Sequence, residues 1–198
     1  SESSAGEYRA LVTNPAGSQL SDVAILVVET PPVIDSLTEA QNVIAGQTVV
    51  LSVVASGSQP MIYAWKRDGV LIDSQTNSSL TLGNIASTDA GVYSVEITNS
   101  AGLTESEGVT VSVVQPVSIA SQPKGSSVVL GGSTLFQVAA TGTEPISYQW
   151  LQDGVAIDGA QDSTFTLTGV QASAAGEYKV TVSNAAGSVD SDAIDLAV

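Results

Sequence analysis

Two consecutive β-sandwiches, preceded by part of a third, are what this sequence predicts, and three observations predict it. The chain repeats itself at an interval of 85 residues, its apolar runs are short and β-branched, and glycine-closed turns punctuate them. Trp65 and Trp150 keep that interval. So do Tyr8, Tyr93 and Tyr178, then Gly6, Gly91 and Gly176, then Asn14, Asn99 and Asn184, then Gly17, Gly102 and Gly187. Asp68-Gly69-Val70 returns as Asp153-Gly154-Val155, and Gly57 with Pro60 as Gly142 with Pro145. Solenoid repeats run to about 20–50 residues, so a longer unit reads as a small domain. The 198 residues divide into whole copies at 31–114 and 115–198, with 1–30 matching only the last third of a unit.

The elements are strands. Val49-Val50-Leu51-Ser52-Val53-Val54-Ala55 and its counterpart Thr134–Ala140 are β-branched runs bounded by glycine. Tyr93–Asn99 alternates apolar and polar residues with period two, which buries one face of a strand, and Val109–Val113 does the same. Between these two lies Asn99-Ser100-Ala101-Gly102, repeated as Asn14–Gly17 and Asn184–Gly187; closing on glycine, it reads as a hairpin turn. About seven strands per unit is the strand count of a two-sheet sandwich.

Composition removes whole classes of function. Twenty Asp and Glu oppose five Lys and Arg, for a formal charge of -15, and His and Cys are absent. Nucleic-acid phosphates call for a basic stripe, and anionic membrane surfaces for basic clusters. Without His or Cys there is no zinc site of the usual type, no thiol nucleophile and no Ser-His relay. The apolar run Val23–Val28 is far short of the roughly 18 residues of a spanning helix, so no membrane insertion is expected. The opening Ser1-Glu2-Ser3-Ser4 carries no charged-then-apolar leader pattern.

The pattern Leu51-x-Val53-x-Ala55-x-Gly57, Pro60, Trp65-Lys66-Arg67-Asp68-Gly69, Leu80-x-Leu82, Asp89-Ala90-Gly91-Val92-Tyr93-x-Val95, Asn99-x-x-Gly102 resembles the immunoglobulin-like domain of the I-set kind. The second copy resembles it through Phe136-x-Val138-x-Ala140-x-Gly142, Pro145, Trp150 to Gly154, and Ala175-Gly176-Glu177-Tyr178-x-Val180. The resemblance implies an all-β chain of tandem immunoglobulin-like Greek-key β-sandwiches, with an N-terminal partial domain of strands F and G. It also implies a structural core of Trp65, Trp150, Tyr93, Tyr178, Val53, Val95, Val138 and Val180. In it, Tyr93 and Tyr178 form tyrosine corners, and valines stand where relatives carry two cysteines. Losing a disulfide costs a small domain about 2–5 kcal/mol. Burying two valines returns roughly 1.5–3 kcal/mol each, so the exchange is feasible. Cysteine-free copies of this kind imply a large repetitive surface protein, extracellular or at the cell surface, of bacterial origin. The corner acid is Asp89 in one copy, Ala174 in the other and Ser4 in the fragment, so its side chain is dispensable.

The aromatic residues number nine, and each has a core assignment: the two tryptophans, Tyr8, Tyr93 and Tyr178 at the corners, Tyr63 and Tyr148 two positions before a tryptophan, Phe136 and Phe165. None is left to make a sugar platform or an interface anchor. The acids Glu105 with Glu107, and Asp190, Asp192 and Asp195, are read as a solvated strand surface guarding an edge rather than as paired catalytic carboxylates. No cofactor is expected; calcium is the alternative for these acids, although Asp190-x-Asp192 with Asp195 lacks the glycine and terminal glutamate of an EF-hand loop. Lys66 and Lys179 neighbour inward residues and so point outward, away from isopeptide chemistry. Asn77-Ser78-Ser79 matches the N-glycosylation sequon, a short match common by chance.

The expected role is therefore mechanical: a non-catalytic, semi-rigid stalk or fibre segment of an exported protein. Its units would be roughly 30–40 Å long at about 3.3 Å per residue, joined through Val113-Val114-Gln115-Pro116 with little free linker. The alternative is an adhesin-type module recognising a protein or glycan. Expected partners are neighbouring copies of the repeat in the same or another chain, with self-assembly into fibres, and no nucleic acid. Residues 1–30 bring Tyr8, Ala10, Val12, Ile25 and Val27 with no sheet to pack on, so either further copies lie upstream or another chain completes the unit.

Overall fold

The computed structural model describes residues 4–198; Ser1–Ser3 of the expected partial unit lie outside the described residues. Its secondary structure is almost entirely strand. The described residues group into two compact units: those up to Gln41 with Val50–Leu82 and Gly91–Val111, and Asn42–Val49 with Gly83–Ala90 and Ser112–Val198.

Four short strands come first: β1 (Gly6–Tyr8), β2 (Leu11–Asn14), β3 (Gly17–Leu20) and β4 (Ala24–Leu26). β1 pairs antiparallel with β4, setting Tyr8 opposite Ala24 and Gly6 opposite Leu26. β2 pairs with β3 through the two-residue loop between Asn14 and Gly17. The first whole copy follows with β5 (Val33–Leu37), β6 (Gln41–Ile44), β7 (Val49–Ser56), β8 (Ile62–Arg67), β9 (Val70–Leu71) and β10 (Ser79–Leu82). It ends with β11 (Gly91–Asn99), β12 (Gly102–Glu105) and β13 (Val109–Val114). One sheet has the order β10-β7-β5; the other runs β6-β13-β11-β8-β9, with β12 extending β11. In β7, Val49, Leu51 and Val53 are buried while Val50, Ser52 and Val54 face water, and in β11 Tyr93, Val95 and Ile97 are buried. Period-two alternation turns one side of each strand into core.

The second copy contains β14 (Ser118–Ser121), β15 (Ser126–Ser127), β16 (Ser133–Gln137), β17 (Ala139–Thr141), β18 (Ser147–Gln152), β19 (Val155–Ala156), β20 (Thr164–Thr168), β21 (Gly176–Asn184), β22 (Gly187–Asp190) and β23 (Ile194–Ala197). Its larger sheet repeats the first copy's, β15-β23-β21-β18-β19 with β22 on β21, and β15 runs parallel to β23. β16–β20 and β14–β17 make up the opposing layer.

Two expected continuous strands are interrupted. The run Thr134–Ala140 divides at Val138, whose amide still bonds the carbonyl of Ser163 in the register of β16 with β20, while Ala139 and Ala140 pair with β14. The strand after the hairpin breaks at Ser106 and again at Ser191. Each serine amide donates to the opposite carbonyl, Val95 or Val180, while its hydroxyl accepts that same residue's N–H at 3.0 Å. Glu105 therefore ends β12 and Glu107 lies beyond it, so the two do not share the strand surface to which the sequence assigned them.

Candidate functional site

The centre of each copy is an indole. Trp65 pairs across the ladder with Val95, and Trp150 with Val180; all four are 0% exposed. Val53 and Val138, the other two positions where the resemblance puts cysteine, are 4% and 2% exposed. A buried indole N–H needs an acceptor. Trp65 Nε1 donates to the carbonyl of Asn77 and Trp150 Nε1 to that of Asp162, each at 2.9 Å. Asn77 thus supports the core through its backbone, while its side chain, the sequon position, is exposed. In the second copy Trp150, Val138, Val180, Phe136, Tyr178 and Leu196 belong to one cluster, against which Tyr148 and Phe165 pack half-buried. Phe136 lies between Trp150 and Tyr178, its ring centroid 6.0 and 5.1 Å from theirs.

The corner tyrosine is anchored through backbone. Tyr178 Oη donates to the carbonyl of Ala174 at 2.8 Å, and Tyr8 Oη to that of Ser4 at 2.6 Å. Because a carbonyl accepts the bond, the side chain at that position can vary. Asp89 uses its own carboxylate locally, accepting the Ala86 amide at 2.8 Å. Tyr93 is 1% exposed. Burial, with the nearby Asp153 carboxylate second, pushes the Tyr178 phenol above its usual pKa.

The aspartate of each Asp-Gly repeat has a role that reading along the chain does not reveal. Asp68 and Asp153 have φ of 50° and 49°, followed by Gly69 and Gly154 at 78° and 80°. These two-residue hairpin turns need positive φ at both positions, which Asp-Gly supplies. The turn aims each carboxylate at the facing strand, where Oδ1 accepts the amide of Val92 or Glu177 at 2.9 Å. Gly91 and Gly176 leave room for it: a Cβ there would stand 2.7 Å from a carboxylate oxygen.

A second recurring device is the side-chain amide of the hairpin asparagine. Asn99 Nδ2 donates to the carbonyls of Thr30 and Ser58, both at 2.8 Å. Asn184 Nδ2 does the same to Gln115 at 2.8 Å and Thr143 at 3.0 Å. Each Oδ1 accepts an amide of its own turn, from Ala101 and Gly102 or from Ala186. Thr30 and Ser58 are also joined by reciprocal bonds, as are Gln115 and Thr143. The residue leading into each copy is thereby clasped to two loops of that copy. Recurrence of Asn at the repeat interval was the available signal, but its carbonyl partners lie 69 and 41 residues away.

Of the acids singled out in the sequence, Glu105 and Asp190 engage lysines instead of one another. Lys66 lies between Glu96 and Glu105 at 2.9 and 3.0 Å, and those bonds raise its pKa, Glu96 first. Lys179 meets Asp190 at 2.7 Å, where Thr181 Oγ1 also donates at 2.6 Å. These bonds, Lys179's foremost, hold the Asp190 carboxyl below its ordinary pKa, and Asp190 in turn raises Lys179. Asp192 and Asp195 are exposed. Among the described residues no group of three or more His, Cys, Asp or Glu could hold a metal ion. No helix among them is long and apolar enough to cross a membrane.

The four N-terminal strands correct two assignments. Tyr8 is 51% exposed and Val12 69%, whereas Tyr93, Tyr178, Ile97 and Val182 at matching positions are 0–1% exposed. Their face meets no second sheet among the described residues. Ile25 and Val27 do not share that face: Ile25 pairs with Glu7, and the inward partners are Ala24 and Leu26.

These observations define a class: tandem, disulfide-free β-sandwiches, each with a sealed tryptophan, a buried tyrosine and a clasped leading residue. The chain belongs to the immunoglobulin-domain family, whose model matches residues 31–99 and 116–184. It is 26% identical over 162 residues to the human cell adhesion molecule DSCAML1, covering 75% of this chain and 8% of that protein. It is 30% identical over 211 residues to human hemicentin-1, covering 98% of this chain and 4% of that protein. The chain thus spans a small fraction of these relatives. An I-band fragment of titin shares the fold with a TM-score of 0.85 at 20% identity, covering all of this chain and 75% of that one. These sequence relatives are animal proteins and give no support to the bacterial origin expected from the missing cysteines. Valine packing around the tryptophan is a property of the core and carries no information about the host.

Proposed function

We propose that the chain is a non-catalytic segment of an extracellular or cell-surface protein, in which copies divided at 1–30, 31–114 and 115–198 act as a semi-rigid stalk or fibre segment. The observation that carries this reading is the repeated clasp. Asn99 ties Thr30, and Asn184 ties Gln115, to the loops of the copy each enters, so the chain at each junction is part of the fold. In this reading Trp65, Trp150, Tyr93, Tyr178, Val53, Val95, Val138 and Val180 act as framework, and no side chain performs chemistry. Partners are neighbouring copies of the repeat in the same or another chain, extending to self-assembly into fibres. The surface is acidic, which keeps such an array dispersed at high local concentration. Replacing Pro116 with Gly-Gly tests the reading: small-angle scattering should show a broader distribution of interdomain angles, and an unchanged profile would count against stiffness.

A second reading, an adhesive module for a protein ligand, is favoured by relatives named for cell adhesion and by one groove of about 500 Å³. Apolar Val33, Ile34 and Leu37 line it beside Thr104 and Glu105. Adhesion of coated beads that survives Ile34→Asp would remove the groove from consideration.

A further inference from the structure

We propose that Asn77 is an N-glycosylation site, and that its sugar covers the open edge of the first copy's smaller sheet. The proposal rests on the extracellular reading above, since the sugar is added along an export route.

The sequence contains six asparagines, and only Asn77 is followed by a residue other than proline and then by a hydroxyl, in Ser78 and Ser79. Three residues alone are a weak signal, and their setting in the fold makes it specific. Asn77 and Ser78 form the bend that leads into β10, and Ser79 is the first residue of that strand; all three are exposed. A sugar needs such a place, because it is bulky and stays hydrated.

The backbone there is fixed and the side chain is spare. The Asn77 carbonyl accepts Trp65 Nε1 at 2.9 Å, and the Ser78 carbonyl accepts the Val53 amide at 2.9 Å. Neither bond involves the side-chain amide. The second copy makes the same two bonds, from Trp150 to the Asp162 carbonyl and from Val138 to that of Ser163. Asp162 stands at the repeat position of Asn77, so the fold accepts a different side chain there. Asn99 and Asn184, by contrast, commit Nδ2 to two carbonyls each.

The place also has a use for a sugar. β10 is the terminal strand of the sheet β10-β7-β5, and β20 has β16 as its one neighbour. A terminal strand presents unpaired backbone groups that template aggregation unless charge or bulk intervenes. The same position introduces both strands, carrying a charge in Asp162 and a sugar acceptor in Asn77. The two residues are alternative guards of equivalent edges.

Attachment is a group transfer from an oligosaccharide carried on a polyprenyl pyrophosphate. The anomeric carbon of the sugar bonds to Asn77 Nδ2 as its bond to the pyrophosphate oxygen breaks. Polyprenyl pyrophosphate departs, and one amide proton passes to a base of the transferase.

The 198-residue chain, exported from animal cells behind a cleavable leader, should emerge heavier by a hexosamine-based oligosaccharide. Digestion with peptide-N-glycosidase in heavy-oxygen water should remove that mass and leave a labelled aspartate where Asn77 stood. Ser79→Ala should abolish the modification with Asn77 in place. Asn77→Gln, which bears neither sugar nor charge, should aggregate several-fold faster than both the glycosylated chain and Asn77→Asp. A secreted chain of unmodified mass, or a sugar mapped to another residue, overturns the site; equal aggregation of the three proteins overturns its role at the edge. Because the leader imposes export, an unmodified chain counts against the site and leaves the extracellular reading untouched.

Discussion

Asp153 occupies the space that a side chain on Gly176 would need: a Cβ there would lie 2.7 Å from the aspartate Oδ1, which accepts the neighbouring Glu177 amide at 2.9 Å. A positive-φ turn on one strand and a glycine on another are thus one device, and Asp68 with Gly91 repeats it.

Gly176→Ala should accordingly destabilise the second copy by about 1–3 kcal/mol, the usual range for a side chain forced into a strained backbone or an occupied space. The backbone φ of +150° adds to the steric conflict. Asp153→Ala together with Gly176→Ala should recover part of the loss. Urea unfolding followed by Trp150 emission in a Trp65→Phe background reads both, and additive losses would refute the coupling.

Val180→Ala removes two methyl groups from a position 0% exposed, directly across the ladder from Trp150. Transfer and cavity contributions together predict a loss of about 2 kcal/mol. Ala10 already stands at the equivalent position in the N-terminal strands, where it is exposed, so Ala10→Val should leave the 198-residue chain's stability unchanged. Thermal denaturation of both variants measures the contrast.

Asn184→Ala deprives the carbonyls of Gln115 and Thr143 of their side-chain donor and should cost about 1–3 kcal/mol. Asn184→Asp keeps the acceptor for the Ala186 amide but turns two attractive contacts into repulsive ones, so it should be at least as damaging. Faster amide exchange at Gln115 and Thr143 in both variants is the expected signature. An aspartate variant as protected as the native chain would mean the clasp is inert.

The Lys179–Asp190 pair gives a pH dependence of defined sign. Asp190's folded pKa lies below its unfolded one, so its contribution is present above the unfolded carboxylate pKa and disappears as pH falls through the depressed folded value. Lys179's folded pKa is raised, so its share is complete below the unfolded lysine pKa and is lost as pH rises through the folded value. The pair is exposed, so the effect is small and weakens with salt. Asp190→Asn should flatten both edges of the melting-temperature profile at low ionic strength, and a profile identical to the native one would contradict this.

What could be read along the chain was whatever recurs or alternates locally. Trp65 and Trp150 announce themselves by the repeat interval and by the family pattern they complete, and Asn99-Ser100-Ala101-Gly102 announces a turn by composition. The relation of Asp68 to Gly91, and of Asn99 to Thr30 and Ser58, could not be read that way. Each partner has an ordinary local environment, and the bond exists only where two distant strands meet. The breaks at Ser106 and Ser191 were hidden for a similar reason, since a serine in a polar stretch looks like any other until its hydroxyl finds the amide opposite. Tyr8 was misplaced because its residue type describes the sandwich it belongs to, whereas its exposure depends on whether a facing sheet is present.

The amino-acid order was thus enough to establish repetition, strand character, a cysteine-free core and a surface of one sign, because these follow from spacing, side-chain shape and charge alone. Which carboxylate seats against which glycine, and which amide clasps the incoming chain, were settled by folding. These depend on distances between segments far apart in the chain, and such distances exist only once the sheets have closed on one another.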